Sequence, residues 1–167
     1  MNSTLGNRHG SANITTPSDT EILIARVFDA PAALIYTALT TPELVQRWWG
    51  FDTSEWLVCE IDLRVGGQWR FVTREGEMEV GFHGEYRELD SPHRIVQTEI
   101  YEGAPDPYPN DPAVNTTTLD ERDGVTTMTV LVSVPSKEIR DAILESGMES
   151  GLQVSYNRLE DLVRTGL

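Results

Sequence analysis

Few side chains in this sequence have the types and spacing that catalysis or metal binding needs. His9 lies in a polar N-terminal segment, while His83 and His93 fall on different strand-like segments. Zinc sites and metalloprotease helices place His, Cys or Glu at short fixed intervals, which this sequence does not contain. It also lacks a Gly-x-Ser-x-Gly elbow, a phosphate-binding loop and a dinucleotide fingerprint. We therefore expect no metal, no cofactor and no ready-made catalytic set.

Two ionisable side chains, His83 and Glu99, are the candidates for acid–base chemistry in an interior. Strand alternation puts His83 on the charged face of its segment, so we expect it to face solvent unless a bulge at a neighbouring glycine reverses the phase. Glu99 lies in the segment 94–101, whose two faces are equally mixed, and both orientations remain open. An inward Glu99 would need a partner to stay ionised, and Arg26 in the apolar first strand is the candidate.

Four large aromatic residues, Trp48, Trp49, Phe51 and Trp56, fall within nine positions. They lie where a short predicted helix joins the first strand of a predicted series. Large aromatic side chains usually form a hydrophobic plug in the core. The functional alternative is that some of them line the mouth of a cavity.

Small residues recur at four-residue spacing in the last predicted helix, at Gly147, Gly151 and Ser155. Each interior glycine costs a helix about 1 kcal/mol relative to alanine, so a compensating reason is expected. A close approach of helix and sheet, free volume for a ligand, or a break at Gly147 would each provide one. The pattern does not separate these three explanations.

The elements that carry these residues follow one another in a simple series. Strands are predicted at 21–28, 56–63, 68–73, 77–88, 94–101, 114–120 and 125–134. Two short helices follow the first strand, because Pro31 suits the first turn of one and Thr41 the N-cap of the next. Short connections between the later strands imply antiparallel pairing. After Pro135, apolar residues at helical spacing predict a long closing helix, so the layout is α+β with that helix lying across one face of a curved sheet.

Length and charge restrict the class of protein further. The chain has 167 residues, enough for one domain that folds without a metal or disulfide. Thirteen basic and 27 acidic side chains give a net charge of −14. Such a surface repels phosphate backbones and anionic membranes, so we expect no nucleic-acid partner and no membrane partner. Residues 1–18 are predicted to be a disordered polar tail, and residues 19–167 a single domain.

The cysteine content and the N-terminal pattern indicate the compartment. Cys59 is the only cysteine and lies in an apolar segment, so we expect a buried, inert thiol and no disulfide. The N-terminal residues lack the basic start and apolar core of a signal peptide. We therefore expect a cytoplasmic protein.

Several short motifs, taken together, resemble one known family. They are Phe28-Asp29-Ala30-Pro31, Trp48-Trp49-Gly50, the run from Asp62 to Phe71, Gly84-Glu85-Tyr86-Arg87, Gly147-Met148-Glu149 and the run from Ser155 to Leu159. This set resembles the family named after the activator of the heat-shock-protein ATPase, in its bacterial form, within the SRPBCC or START-like superfamily. The likeness extends from about Thr20 to Val163.

The resemblance implies the helix-grip architecture, in which a strongly curved antiparallel sheet wraps around a long C-terminal helix and encloses an apolar cavity. Members of the wider superfamily bind lipids, hormones and other hydrophobic molecules, and a minority are enzymes. Many family members carry Trp at the position of Leu152, so this chain is expected to have a larger or differently shaped cavity. The family supplies no fixed catalytic set, and the fold alone does not decide function.

The leading hypothesis is a non-catalytic protein that binds a small hydrophobic ligand between the sheet and the closing helix. The predicted lining residues are Trp48, Trp56, Phe71, Phe82, Tyr86, Tyr101, Met128, Met148, Leu152 and Tyr156, with Arg26, Gln97 and Glu99 as polar contacts. One alternative is a co-chaperone-like or stress-related protein-interaction module, for which the Pro-rich loop 103–112 would be the contact. Another is an enzyme that acts on a hydrophobic substrate through Glu99 or His83. A monomer and a homodimer are both compatible with the sequence.

Overall fold

A computed structural model of the protein describes residues 8–103 and 111–167, so most of the Pro-rich loop 103–112 lies outside the described residues. The elements, in chain order, are β1 (Asn13–Ser18), β2 (Glu21–Phe28), α1 (Ala32–Thr40), α2 (Pro42–Trp48), β3 (Glu55–Ile61), β4 (Gln68–Glu75), β5 (Met78–Asp90), β6 (Arg94–Tyr101), β7 (Ala113–Arg122), β8 (Val125–Ser133), α3 (Lys137–Glu145) and α4 (Met148–Arg164). The predicted α+β layout is confirmed, including the two short helices and the closing helix.

The strands form one antiparallel sheet in the order β1-β2-β8-β7-β6-β5-β4-β3. Strand β2 shows how the sheet obtains its two faces, because every second residue is buried. Ile22, Ile24, Arg26 and Phe28 lie on the face that packs towards α4, and we call this the inner face. The unexpected member of this row is Arg26, a cation at an apolar position.

Residues 8–18 differ from the predicted disordered tail, whose first seven residues lie outside the described residues. Residues 13–18 form the edge strand β1, which pairs with β2. Residues 8–12, which we call the N-terminal strap, lie along α4. The backbone N–H of Gly10 donates to Asn157 Oδ1 at 2.9 Å, and Ala12 exchanges two hydrogen bonds with the side chain of Gln153. These contacts use polar side chains and main-chain groups, so hydrophobic patterning could not reveal them.

The closing helical region is broken at Gly147, which confirms one of the three explanations for its glycines. Gly147 has φ of +82°, a left-handed conformation that side chains disfavour, and it separates α3 from α4. Ser136 caps α3 by accepting a hydrogen bond from the N–H of Ile139 at 3.2 Å. A close approach of the sheet does not explain Gly151, because a Cβ there would meet only the Phe51 ring at 3.9 Å.

Packing is uneven along the two closing helices. Helix α3 and residues 148–155 of α4 contain no fully buried side chain. From Tyr156 onward α4 is tightly packed, with Leu159, Leu162 and Val163 in the core. Among the described residues, no helix combines the length and apolar character needed to cross a membrane.

Candidate functional site

The inner face brings most of the predicted lining residues together through strand register. Phe82 pairs with Phe71 on one side and Tyr101 on the other, and Tyr86 pairs with Gln97. Gln97 in turn lies opposite Asn115 of β7. Side chains that face each other across strands are neighbours on one surface. The inner face therefore runs from aromatic residues on β3–β5 to polar residues on β6 and β7.

One end of this face carries an aromatic cluster made of Trp49, Trp56, Phe71 and Phe82. The Trp49 ring centroid lies 5.4 Å from that of Trp56, 5.6 Å from that of Phe71 and 5.8 Å from that of Phe82. These distances are typical of edge-to-face aromatic packing. Three members of the cluster, Trp56, Phe71 and Phe82, are predicted lining residues, and Trp49 is not.

Trp48, which the sequence predicts as a lining residue, lies elsewhere. Its indole is buried between α1 and α2 and donates to the carbonyl of Ala38 at 2.9 Å. Helix α2 ends at Trp48. The backbone of Trp49 is extended, and its side chain points towards the sheet. The two adjacent tryptophans therefore have different surroundings, and only the end of the helix distinguishes them.

The aromatic cluster is attached to α4 by the turn that follows Trp49. The N–H of Gly50 donates to Ser155 Oγ at 3.0 Å, and Arg158 Nη1 donates to the Gly50 carbonyl at 2.9 Å. Met148 and Leu152, on the loosely packed half of the same helix, are partly buried against the core. These contacts hold the cluster and the helix at the same end of the inner face.

The other end of the inner face contains a buried ion pair. Arg26 Nη1 donates to Glu160 Oε1 at 2.7 Å, and both side chains have no accessible surface. The second carboxylate oxygen of Glu160 accepts from the N–H of Asp29 at 3.2 Å. The guanidinium also lies 4.7 Å from the centre of the Phe28 ring, close enough for a cation–π contact. The predicted pairing of Arg26 with Glu99 is wrong, because Glu160 occupies that place.

Two donors of Arg26 are left over by this arrangement. Its Nη1 is shared between Glu160 and the carbonyl of Val27, whereas Nε and Nη2 are buried without a partner. A buried donor without an acceptor typically costs about 1–3 kcal/mol, more when the group is charged. One edge of the Arg26 guanidinium therefore holds Glu160 and Val27, whereas the donors on its other edge make no hydrogen bond.

Glu99 faces the interior. Protein surrounds its carboxyl, although part of the residue surface stays accessible, and the solvated orientation is not observed. Burial raises the pKa of Glu99, and a hydrogen bond from the Asn115 side chain partly opposes that rise. Asn115 Oδ1 is buried and accepts nothing from an unprotonated Glu99. A protonated Glu99 would satisfy it, since an acid and an amide can exchange two hydrogen bonds.

This arrangement predicts how stability responds to pH in a Glu99→Gln variant. The folded protein holds the Glu99 proton to higher pH than the unfolded chain, so wild-type stability falls as pH rises from the ordinary pKa of Glu through the raised one. Glutamine removes this fall and keeps the pairing with Asn115. Urea unfolding between about pH 4 and pH 8 should show the variant gaining stability relative to wild type as pH rises. Exposed Glu85→Gln is the control, and an equal gain there would contradict the assignment.

The remaining predicted residues have simpler surroundings. Met128 is a core residue opposite Arg26 on β8, and Tyr101 is 46% exposed at the end of β6. Burial raises the pKa of Tyr86 and Tyr156, so both hydroxyls stay protonated. Tyr156 packs edge-on against Phe28 at 6.1 Å and lies within the electrostatic range of both Glu99 and Arg26.

His83 and Cys59 lie outside the inner-face site. His83 is on the outer face, as predicted, where Nδ1 lies 2.8 Å from Glu102 and Arg70 also binds that carboxylate. Cys59 is partly buried rather than fully buried as predicted, and burial raises its pKa to about 11, which agrees with an inert thiol. In the part of the chain that the structure describes, no three His, Cys, Asp or Glu side chains cluster as metal ligands would.

Sequence reasoning missed Glu160 and Asn115, and it left Trp49 out of the predicted lining residues although Trp49 belongs to the aromatic group. A signal existed for the first, since Glu160 follows Tyr156 by four residues and Leu159 by one, on the apolar stripe of α4. Asn115 shares its strand face with buried Leu119, at a spacing of four. In both cases a polar residue at an apolar position of the pattern marks the site.

Comparison with known proteins agrees with this architecture. A crystal structure of a Rhodobacter sphaeroides protein superimposes with a TM-score of 0.82 at 24% identity, covering 92% of this chain and 98% of that one. A Chromobacterium violaceum protein gives a TM-score of 0.74 at 26% identity, over 87% and 98% of the two chains.

Neither relationship assigns an activity, and none of the curated proteins matches this chain. The family model described as "Activator of Hsp90 ATPase homolog 1-like protein" matches residues 29–164, which is most of the chain. The predicted resemblance is therefore confirmed: the chain belongs to the Activator of Hsp90 ATPase homolog 1-like family.

Proposed function

We propose that this protein binds a small hydrophobic molecule, without transforming it, between the inner face of the sheet and helices α3 and α4. One observation carries the proposal: apolar and aromatic side chains line an inner face whose covering helices are only loosely packed. Val130 and Val132 lie on the same face of β8 as buried Met128 yet stay partly accessible, and Met148 and Leu152 of α4 are likewise only partly buried against the core. A fully packed core would cover such residues completely.

The uneven packing of α4 supports the same proposal. Residues 156–163 anchor the helix through buried side chains, whereas residues 148–155 and the whole of α3 contribute none. The left-handed Gly147 separates α3 from α4. A cover held so weakly can move aside at low cost, which entry into an enclosed site requires.

The chemistry of the interior favours binding over catalysis. Arg26 and Glu160 are engaged with each other, and Glu99 with Asn115. Acid–base catalysis needs a titratable group with access to a substrate and a partner that takes or returns its proton. Among the described residues, His83 would be the other candidate, and it is on the outer face.

A Leu152→Trp variant tests the proposed site. The larger side chain would fill space at the loosely packed half of α4, so the affinity for Nile red, a neutral hydrophobic dye, should fall by about tenfold or more. The thermal unfolding midpoint should stay close to that of wild type, because Leu152 is only partly buried. Dye fluorescence and circular dichroism measure the two quantities.

The matched control is Leu57→Trp, the same substitution at a leucine that is 38% exposed on β3. It should leave dye affinity unchanged. Equal dye affinity in the Leu152 variant and wild type would contradict the proposed location. Native mass spectrometry of the purified protein adds a direct test, since a co-purified ligand adds mass that is lost on denaturation.

A further inference from the structure

We infer that the ligand of the proposed site carries a neutral carbonyl oxygen, as in a ketone, ester or amide, and that this oxygen accepts hydrogen bonds from Nε and Nη2 of Arg26. The inference rests on the proposed function and specifies the chemical class of the ligand. It starts from the two buried donor atoms of Arg26 that have no acceptor among residues 8–103 and 111–167.

The unused edge of Arg26 is the edge that other arginines in this protein use. Arg8 binds Asp29 through Nε and Nη2, both at 3.0 Å. Arg70 binds Glu102 through the same pair of atoms, at 2.9 and 3.0 Å. In Arg26 that edge is free, while Nη1 holds Glu160 and Val27. Nε and Nη2 are thus two parallel donors for which the described residues supply no acceptor, an arrangement that suits one oxygen atom.

Charge balance selects a neutral acceptor over an anion. Glu160 already compensates Arg26, and nearby Asp29 is paired with Arg8. Other ionisable groups on the described part of this face include Tyr86 and Tyr156, whose hydroxyls stay protonated, and Glu99, whose pKa burial raises. A ligand carboxylate would add a buried negative charge with no cation left to balance it. A carbonyl oxygen accepts both hydrogen bonds without that penalty.

One face of α4 links the loosely packed region to this edge of Arg26. Leu152, Tyr156 and Glu160 are four residues apart on α4, so they lie in a row along one helix face. Leu152 is at the weakly covered end, and Glu160 contacts Arg26 at the other. A hydrophobic ligand that enters beside Leu152 and displaces the Tyr156 ring would bring a terminal carbonyl to Arg26.

Three naphthalene probes of matched size test the inference on the full-length protein. They are 2-acetylnaphthalene, which has a neutral carbonyl, 2-ethylnaphthalene, which lacks it, and 2-naphthoate, which is an anion. Displacement of Nile red reports their affinities. We expect the ketone to bind at least about tenfold more tightly than the hydrocarbon and than the anion. The bound ketone should also show a carbonyl stretch shifted to lower frequency, a readout that needs no variant.

A double variant, Arg26→Met with Glu160→Met, removes the donors without leaving an unpaired charge. In this variant the ketone and 2-ethylnaphthalene should bind with affinities within about threefold of each other, so that the preference for the ketone disappears. Equal binding of ketone and hydrocarbon to wild type would overturn the inference and leave the proposed function intact. If 2-naphthoate bound most tightly of the three, the inference that the ligand is neutral would be wrong. Failure of all three probes to bind would count against the inference and the proposed function together.

Discussion

Replacing Glu160 by Gln should lower the free energy of unfolding by about 3–5 kcal/mol, the usual cost of breaking a fully buried ion pair. The loss arises because Arg26 has no accessible surface and would keep its charge without a counter-ion. Glutamine has nearly the same shape, so packing changes contribute little. Urea denaturation followed by far-ultraviolet circular dichroism measures the change.

Two further variants show whether the charge is responsible. Asp161→Asn changes the neighbouring residue, whose side chain is 62% exposed and pairs with His9, and it should cost less than about 1 kcal/mol. The double variant Arg26→Met with Glu160→Met should recover most of the stability, since a buried ion pair can often be replaced by apolar residues of similar volume. Equal losses in Glu160→Gln and Asp161→Asn would show that the pair is not what stabilises α4.

Replacing Gly84 by Ala should destabilise the protein by about 3 kcal/mol or more, at the upper end of overpacking effects. A Cβ at this position would lie 1.8 Å from the Thr98 carbonyl oxygen and 2.8 Å from Trp69 Nε1. Trp69 pairs with Gly84 across β4 and β5, and its indole donates to that same carbonyl at 3.2 Å. The added methyl group therefore has to displace either the backbone of β6 or a buried tryptophan.

The matched control is Gly151→Ala in α4. There the new Cβ would meet only the Phe51 ring, at 3.9 Å, an ordinary contact. Because alanine favours helix by about 1 kcal/mol over glycine, this variant should be equally stable or more stable than wild type. Thermal unfolding of the two variants side by side separates them. A Gly84→Ala protein as stable as wild type would mean that β5 and β6 adapt more easily than their contacts indicate.

Much of the fold follows from local pattern. The alternation of apolar residues predicts β2 from Glu21 to Phe28, which are its observed ends. The predicted segment 94–101 likewise coincides with β6. Such predictions succeed because burial of one strand face is a short-range signal that every second residue repeats.

The site itself depends on contacts that no local pattern contains. The sequence indicates that an inward Glu99 would need a cation and offers Arg26, but it does not show that Glu160 is the carboxylate that pairs with Arg26. The choice depends on how α4 is rotated and placed over the sheet, which the whole core determines. Trp48 and Trp49 present the same difficulty. If α2 ended one residue earlier or later, a different tryptophan would point towards the sheet, and the sequence does not fix that end.

The N-terminal strap marks a different limit. Its hydrogen bonds join main-chain groups of Gly10 and Ala12 to Asn157 and Gln153, polar residues that suit a solvated helix face equally well. Composition therefore predicts disorder for a segment that polar contacts hold in place. In the same way, sequence composition does not reveal that the Glu99 carboxyl is enclosed by protein.

The Arg26–Glu160 pair also constrains the order of events during synthesis. The two residues are 134 positions apart, and the contact between Ala12 and Gln153 spans 141. At usual translation rates, Arg26 waits on the order of ten seconds before its counter-ion is made. Until then Arg26 can be part of a partly formed sheet whose inner face is uncovered, with a cation among apolar side chains. A nascent chain that stops before Glu160 therefore lacks the counter-ion of Arg26 and exposes apolar strand faces, which favours aggregation.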